Sequence, residues 1–361
     1  MSLLRTDLIM AVRCSGVRVS VIGSIVRYCD HKRKWRTQEL CDLALPLPLP
    51  LPLRPAPCIF LLSTRAETPM PENWKKLILP AAALLVVLAA AGFWALNRSA
   101  SGIPAFYVWK LFSGAAHGGA HAAVNGIDLY YETYGDREAP PVLVLHGGMG
   151  FIESMHYQIS ALSGSHFVVA PDSRGHGRSG DAEAPIAYEQ MAADMLALMD
   201  ELGIEKADIA GWSDGGIIGL IVAMEHPDRV RRLVTIGANY SLDGLSSMPP
   251  ESAAELGEAL APARDFYINV APDPSRWPVF AEKVLHMWRT SPNYAAADLG
   301  RIEAPVLVMA GEHDSIKREH TEAMAHAIPD ATLDIVPGAS HFLPLEMPER
   351  ANASIRTFLG D

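Results

Sequence analysis

The chain has 361 residues, 49% of them hydrophobic and 20% charged, which suffices for one large globular domain with appendages. Its formal net charge of −11 is unevenly spread: from residue 98 onward 18 Lys/Arg stand against 35 Asp/Glu, which makes nucleic acid and polyanionic substrates poor candidates as partners. All four cysteines precede residue 70, so the remainder can hold neither a disulfide framework nor a cysteine-based metal site.

Residues 1–69 show no sustained apolar period, and Leu45 to Pro57 alternates Leu with Pro, which cannot donate backbone hydrogen bonds. This segment reads as low-complexity and disordered, or as lying ahead of a start at Met70. Residues 70–97 read as membrane-inserting. Lys75 and Lys76 precede Leu77 to Leu96, 20 residues without a charge, which matches a hydrocarbon core of about 30 Å. Trp74 and Trp94 stand near its ends. The preceding lysines favour a cytoplasmic N-terminus and a catalytic domain outside the cytoplasm, periplasmic or extracellular. An uncleaved anchor and a secretory signal cleaved near Ser99 to Gly102 both fit. Residues 98–121 read as a linker, with Phe106, Tyr107 and Trp109 followed by a Gly/Ala/His-rich run. The His117 and His121 pair there reads as spacer, not as metal ligand.

From residue 122 the pattern becomes regular. Asn125-Gly126 between Ala122–Val124 and Ile127–Tyr134 predicts a hairpin. Strands are then expected at Val142–Leu145, Phe167–Ala170, Ala207–Ala210, Leu233–Ile236, Val306–Ala310 and Thr332–Val336. Helices are expected at Tyr188–Leu202, Gly216–Glu225, His320–Ala327 and Pro348–Phe358. Alternation of the two implies an α/β fold with a mostly parallel sheet covered on both faces. Residues 241–302 are proline-punctuated and helix-leaning, and read as a cap inserted between two strands.

The chemistry lies at the strand ends. Gly211-Trp212-Ser213-Asp214-Gly215 joins an apolar strand to an apolar helix, which holds a serine at a sharp turn whose flanking glycines admit close backbone approach. A serine hydroxyl is a weak nucleophile and needs a base; His341, after the last strand, fits. That base needs an acid to hold its tautomer. Asp314, 27 residues earlier, is the choice, with Glu312 the alternative. An oxyanion needs two N–H donors. One is expected from Asp214, the other from Gly148 or, second, Met149 in His146-Gly147-Gly148-Met149-Gly150. A phosphate loop is disfavoured there, since no Gly-Lys-Ser/Thr follows. Asp172 and Arg174 read as structural braces. The spacing of His313, His320 and His326 does not make one metal-binding face. No cofactor and no metal are expected.

These five segments, in this order, resemble the α/β-hydrolase superfamily over roughly 122–361. The resemblance implies an eight-stranded sheet and a helical cap after the sixth strand. The Trp-Ser-Asp-Gly-Gly turn is similar to that of the valacyclovir hydrolase (biphenyl hydrolase-like) branch, which cleaves esters. The expected reaction is hydrolysis of a small-molecule ester through an acyl-enzyme on Ser213. Lactones, thioesters, amides and C–C bonds next to a carbonyl remain open, as does a non-catalytic binding module on the same fold. Trp212, Trp277 and Trp288 are the expected substrate contacts. Asp214 could also attract a cationic amine on the substrate, though a locally bonded side chain is the commoner case.

Overall fold

The computed structural model describes residues 102–360, together with five short strands between residues 9 and 63. Leu77 to Leu96 lies outside the described residues, as does the Leu-Pro run; among the described residues no helix is long and apolar enough to cross a membrane.

The five N-terminal strands form an antiparallel sheet in the order Trp35–Glu39, Ile25–Cys29, Val17–Ile22, Ile9–Cys14, Phe60–Ser63. Regular structure was not expected there. The reason is local: Val17-Arg18-Val19-Ser20-Val21 alternates β-branched with polar residues, a period of two that is too short-lived to register over the whole segment.

The second unit carries an eight-stranded sheet. Its strands are β1 (Ala116–Val124), β2 (Ile127–Tyr134), β3 (Pro141–Leu145), β4 (Phe167–Pro171), β5 (Ala207–Trp212), β6 (Val230–Ile236), β7 (Val306–His313) and β8 (Ala331–Ser340). They lie in the order β8-β7-β6-β5-β3-β4-β2-β1. The hairpin β1–β2 and the pair β2–β4 are antiparallel, and every other pairing is parallel. The hairpin turns at Asn125 and Gly126, both at positive φ (44° and 81°), as a two-residue primed turn requires.

Strand residues sort by the period of two. Val142 and Val144 face one core, with Phe106, Ile159 and Ile355. Leu143 and Leu145 face the other, with Met195, Leu220 and Leu285. The first core is covered by α1 (Ile103–Phe112), α2 (His156–Leu162) and the last helices, α9 (Leu343–Glu346) and α10 (Pro348–Leu359). The second is covered by α3 (Tyr188–Glu201) and α4 (Asp214–Glu225). Helix α4 is buried from Asp214 to Met224, which explains why it lacks a polar face. Helix α8 (Arg318–Ala327) connects β7 to β8 and packs against both.

Within the expected linker 98–121, the described part from Gly102 is regular structure. Ile103–Phe112 is a helix with Pro104 in its first turn, and β1 begins at Ala116. Phe106 supplies the reason. It is 3% exposed, stacks on Trp109 at 5.5 Å and packs against Tyr134 and His156. Lys110 pairs with Glu132 of β2 and fastens the helix to the sheet.

Between β6 and β7 the inserted cap contains α5 (Ala253–Ala259), α6 (Ala261–Val270) and α7 (Trp277–Thr290). Along α7, Trp277, Phe280, Ala281, Val284, Leu285 and Met287 recur at helical spacing and are buried. Arg276 and Lys283 both reach Asp181 at 2.9 Å, which holds the cap to the loop after β4.

Candidate active site

Strand β5 ends at Trp212 and α4 starts at Asp214, leaving Ser213 alone in the turn at φ 53°, ψ −117°. A non-glycine residue in this region is strained and persists only where its surroundings fix it. Here the Ser213 N–H donates to the Ile236 carbonyl at 2.8 Å. The flanking glycines leave no room for side chains. A Cβ on Gly211 would lie 2.2 Å from the Gly215 oxygen, and one on Gly215 would lie 2.4 Å from the Leu145 oxygen.

The loop after β8 brings His341 over this turn. The Ser213 hydroxyl donates to His341 Nε2 at 3.0 Å, and His341 Nδ1 donates to Asp314 Oδ1 at 2.7 Å. Asp314 also accepts the Ile316 N–H at 2.9 Å, so its carboxylate is oriented from two sides. Its side chain is 2% exposed, and Oδ2 is buried without a partner. Glu312 turns elsewhere: it accepts the Gly338 N–H at 2.9 Å on the exposed side. The structure thus brings Ser213, His341 and Asp314 into one chain of hydrogen bonds and leaves Glu312 out.

Two backbone N–H groups border Ser213. Asp214 is the first residue of α4, where a helix has no internal partner for its N–H. Gly148 follows a peptide whose carbonyl, that of Gly147, accepts from His146 Nδ1 at 2.7 Å and from the Gly150 N–H at 3.0 Å. Since C=O and N–H lie on opposite edges of a trans peptide, this fixation turns the Gly148 N–H the other way. Among the described residues neither N–H has a hydrogen-bond partner. Met149, the second choice from the sequence, is not available. Its N–H donates to His176 Nε2 at 3.2 Å.

Two buried histidines brace this loop. His146 Nε2 accepts the Ser173 N–H at 3.0 Å, and the His146 and His176 rings lie 5.1 Å apart. Burial pushes both below the ordinary histidine range, to about 4 for His146 and about 3 for His176, so both are neutral near pH 7. Asp172 accepts the N–H groups of Ile152 and Arg178 and the Arg178 guanidinium, while Arg174 forks onto Asp194 with two bonds of 2.7 Å. These are braces, as read from the sequence. The histidine braces were not foreseen; their signal was a His four residues before Gly150 and another in the Gly175-His176-Gly177 turn.

The cavity over Ser213 has a volume of about 400 Å³. Trp212, Gly148, Trp288 and Phe342 line it, with Leu245, Met248, Leu256, Leu260 and Ile316 as its apolar wall. No Lys or Arg is among its lining residues. Trp277 does not line it. That ring is 9% exposed and packs on Tyr267 and Phe280, so it is core of the cap and not a substrate contact. The Asp214 carboxylate is buried and already bonded, by Tyr188 Oη at 2.8 Å and by Trp288 Nε1 at 2.9 and 3.1 Å. Burial raises it to about 6. Local bonding, not an open anionic site, describes it. Among the described residues no cluster of His, Cys, Asp or Glu is arranged to hold a metal ion.

Residues 140–288 match the family model described as the alpha/beta hydrolase fold. The putative carbamate hydrolase RutD of Azorhizobium caulinodans is 30% identical over 272 residues, which cover 68% of this chain and 98% of that protein. The chain belongs to the α/β-hydrolase superfamily. Within it, similarity extends to the branch of human serine hydrolase BPHL, 29% identical over 76% of this chain and all of that one. The crystal structure of the enol-lactonase from Burkholderia xenovorans LB400 superposes with a TM-score of 0.56 at 25% identity, covering 67% of this chain and 100% of that one. The relatives are named as hydrolases and an enol-lactonase, which indicates that this chain is a hydrolase.

Proposed function

We propose that this hydrolase cleaves small, neutral, apolar carboxylic esters through an acyl-enzyme on Ser213, as a carboxylesterase-like enzyme. The observation that carries the reading is the hydrogen-bond chain Ser213–His341–Asp314 beneath an apolar cavity. His341 Nε2 takes the Ser213 proton as Oγ bonds to the ester carbonyl carbon. The negative charge that develops on the carbonyl oxygen is received by the N–H groups of Gly148 and Asp214. Collapse of this intermediate breaks the bond to the alcohol, which leaves with the proton from His341. Water then gives its proton to His341, attacks the acyl carbon and releases the acid, restoring Ser213. A lactone is the second reading, favoured by the enol-lactonase likeness, since its carbonyl passes through the same oxyanion.

Residues 77–96 support a further proposal on composition alone: they tether the hydrolase to a membrane, with the catalytic unit periplasmic or extracellular, or are removed as a secretory signal. Fractionation of expressing cells separates the two by the size and location of the product.

The test uses the full chain with p-nitrophenyl esters from acetate to palmitate and a fluorophosphonate probe. Turnover and labelling that both vanish in Ser213→Ala are expected. A folded protein that neither turns over any ester or lactone nor takes the probe would overturn acyl transfer and leave a binding module.

A further inference from the structure

Trp288 stands where three parts of the molecule meet. It belongs to α7 of the cap, its indole faces the cavity, and its Nε1–H donates to both oxygens of the Asp214 carboxylate, at 2.9 and 3.1 Å. The same ring lies against Gly148 so closely that a Cβ there would be 2.3 Å from Trp288 Cζ2 and 2.4 Å from Asp214 Oδ2. Gly148 and Asp214 are the two residues whose backbone N–H groups border Ser213 without a partner. One cap side chain therefore touches both.

Helix α7 is itself fixed. Lys283 reaches Asp181 at 2.9 Å and Arg289 donates to the Pro250 carbonyl at 3.0 Å, while the Asp214 carboxylate is held in addition by Tyr188 Oη, which donates to Oδ1 at 2.8 Å. Its lower turns are packed by Phe280 and Val284. The indole is thus held by its hydrogen bonds to Asp214 and its contact with Gly148, on a helix that is itself anchored.

We propose that Trp288 is a positioning residue that sets the two oxyanion donors, so that the seating of the cap and the competence of the oxyanion hole are one event. The inference rests on the acyl-transfer reading. It assigns Trp288 a role beyond walling the cavity: the ring holds the Gly148 peptide by contact and the first turn of α4 by its N–H. Preorganised donors gain their effect only when they are fixed before charge develops, and a small displacement of such groups costs much of it.

The experiment compares Trp288→Phe, Asp214→Ala, Asp214→Asn and the double variant Trp288→Phe/Asp214→Ala on p-nitrophenyl acetate, an ester too short to fill the apolar wall. Trp288→Phe is expected to lower kcat about tenfold with KM changed less than about threefold. The double variant should lose less than the sum of the two single losses, because both remove the Trp288–Asp214 hydrogen bond, while Asp214→Ala alone also removes that of Tyr188. Asp214→Asn, which keeps an acceptor oxygen, should retain more kcat than Asp214→Ala. Unchanged kcat in Trp288→Phe, a loss confined to KM, or additive losses would each overturn the proposal. Should Trp288→Phe fail to fold, Gly148→Ala reads the same contact from the other side. Its methyl group must displace the indole, so a similar loss in kcat is expected and full activity would refute the role. A wild-type protein that neither turns over nor takes fluorophosphonate would fail the acyl-transfer reading itself, a result distinct from any of these.

Discussion

The Met149 backbone N–H donates to His176 Nε2 at 3.2 Å, and this bond exists only while His176 is neutral. Its other nitrogen, Nδ1, faces the Arg174 carbonyl at 3.0 Å, and the neighbouring ring is that of His146. Burial lowers His176 to about 3, well below the ordinary histidine range. A depressed histidine contributes stability that is present above its unfolded pKa and is lost as pH falls through the folded value.

His176→Gln keeps an acceptor for the Met149 N–H but does not titrate. Between pH 7 and pH 5 the wild type should lose about 2 kcal/mol through His176 that the variant does not lose. Urea unfolding of both proteins at the two pH values measures the difference. A gap between them that stays constant with pH would show that His176 does not carry this linkage.

Asp314 and Glu312 stand two residues apart, and only Asp314 reaches His341. Asp314→Asn should reduce kcat by about 10⁴-fold, because the amide cannot hold the His341 tautomer that accepts the serine proton. Glu312→Gln should stay within about threefold of wild type. Steady-state ester hydrolysis by both variants decides it, and a larger loss for Glu312→Gln would transfer the role.

Gly237 lies at the end of β6 at φ 61°, and a Cβ there would come 2.9 Å from His341 Nδ1 and 3.0 Å from Asp314 Oδ2. Gly237→Ala is expected to cost about 1–2 kcal/mol in stability from the left-handed backbone. It should also lower kcat by about 10²-fold by spreading the His341–Asp314 pair. Thermal unfolding together with kinetics separates the two effects; a stability loss with unchanged kcat would mean that the pair tolerates the methyl group.

Phe280 is 1% exposed, stacked on Tyr267 at 4.9 Å and edge-on to His176 at 4.7 Å. Phe280→Ala should destabilise the protein by about 3–5 kcal/mol, the usual cost of emptying a buried aromatic site. Denaturant unfolding gives the number, and a loss below about 1 kcal/mol would mean that the cap collapses around the gap.

What the sequence reveals follows from the range of the interactions. Ser213 is legible because its requirements are local: two glycines, a preceding apolar strand and a following apolar helix. The strands from β3 to β8 are legible for the same reason, as runs of Val, Ile and Leu bounded by turns. Glu312 and Asp314 are nearly equivalent on paper, since the choice between them depends on which way one turn points. Trp277 and Trp288 share a helix 11 residues apart, and only the folded cap tells that one is core and the other faces the cavity. The Met149–His176 bond spans 27 residues and joins two loops, so no periodicity announces it. Helix α1 escaped the reading because its evidence, the packing of Phe106 on Tyr134, is tertiary.

Helix α1 also decides how the catalytic unit carries a load. Lys110 is lashed to Glu132 in β2, and Tyr107 donates to Glu153 at 2.6 Å, which in turn receives Arg178 from the loop after β4. A pull arriving along the chain at Gly102 is therefore taken up by the antiparallel edge of the sheet. The β5–α4 turn stands in the middle of that sheet, three strands further in than β2 and away from that edge. A pull there is expected to leave the hydrogen bonds among Ser213, His341 and Asp314 in place.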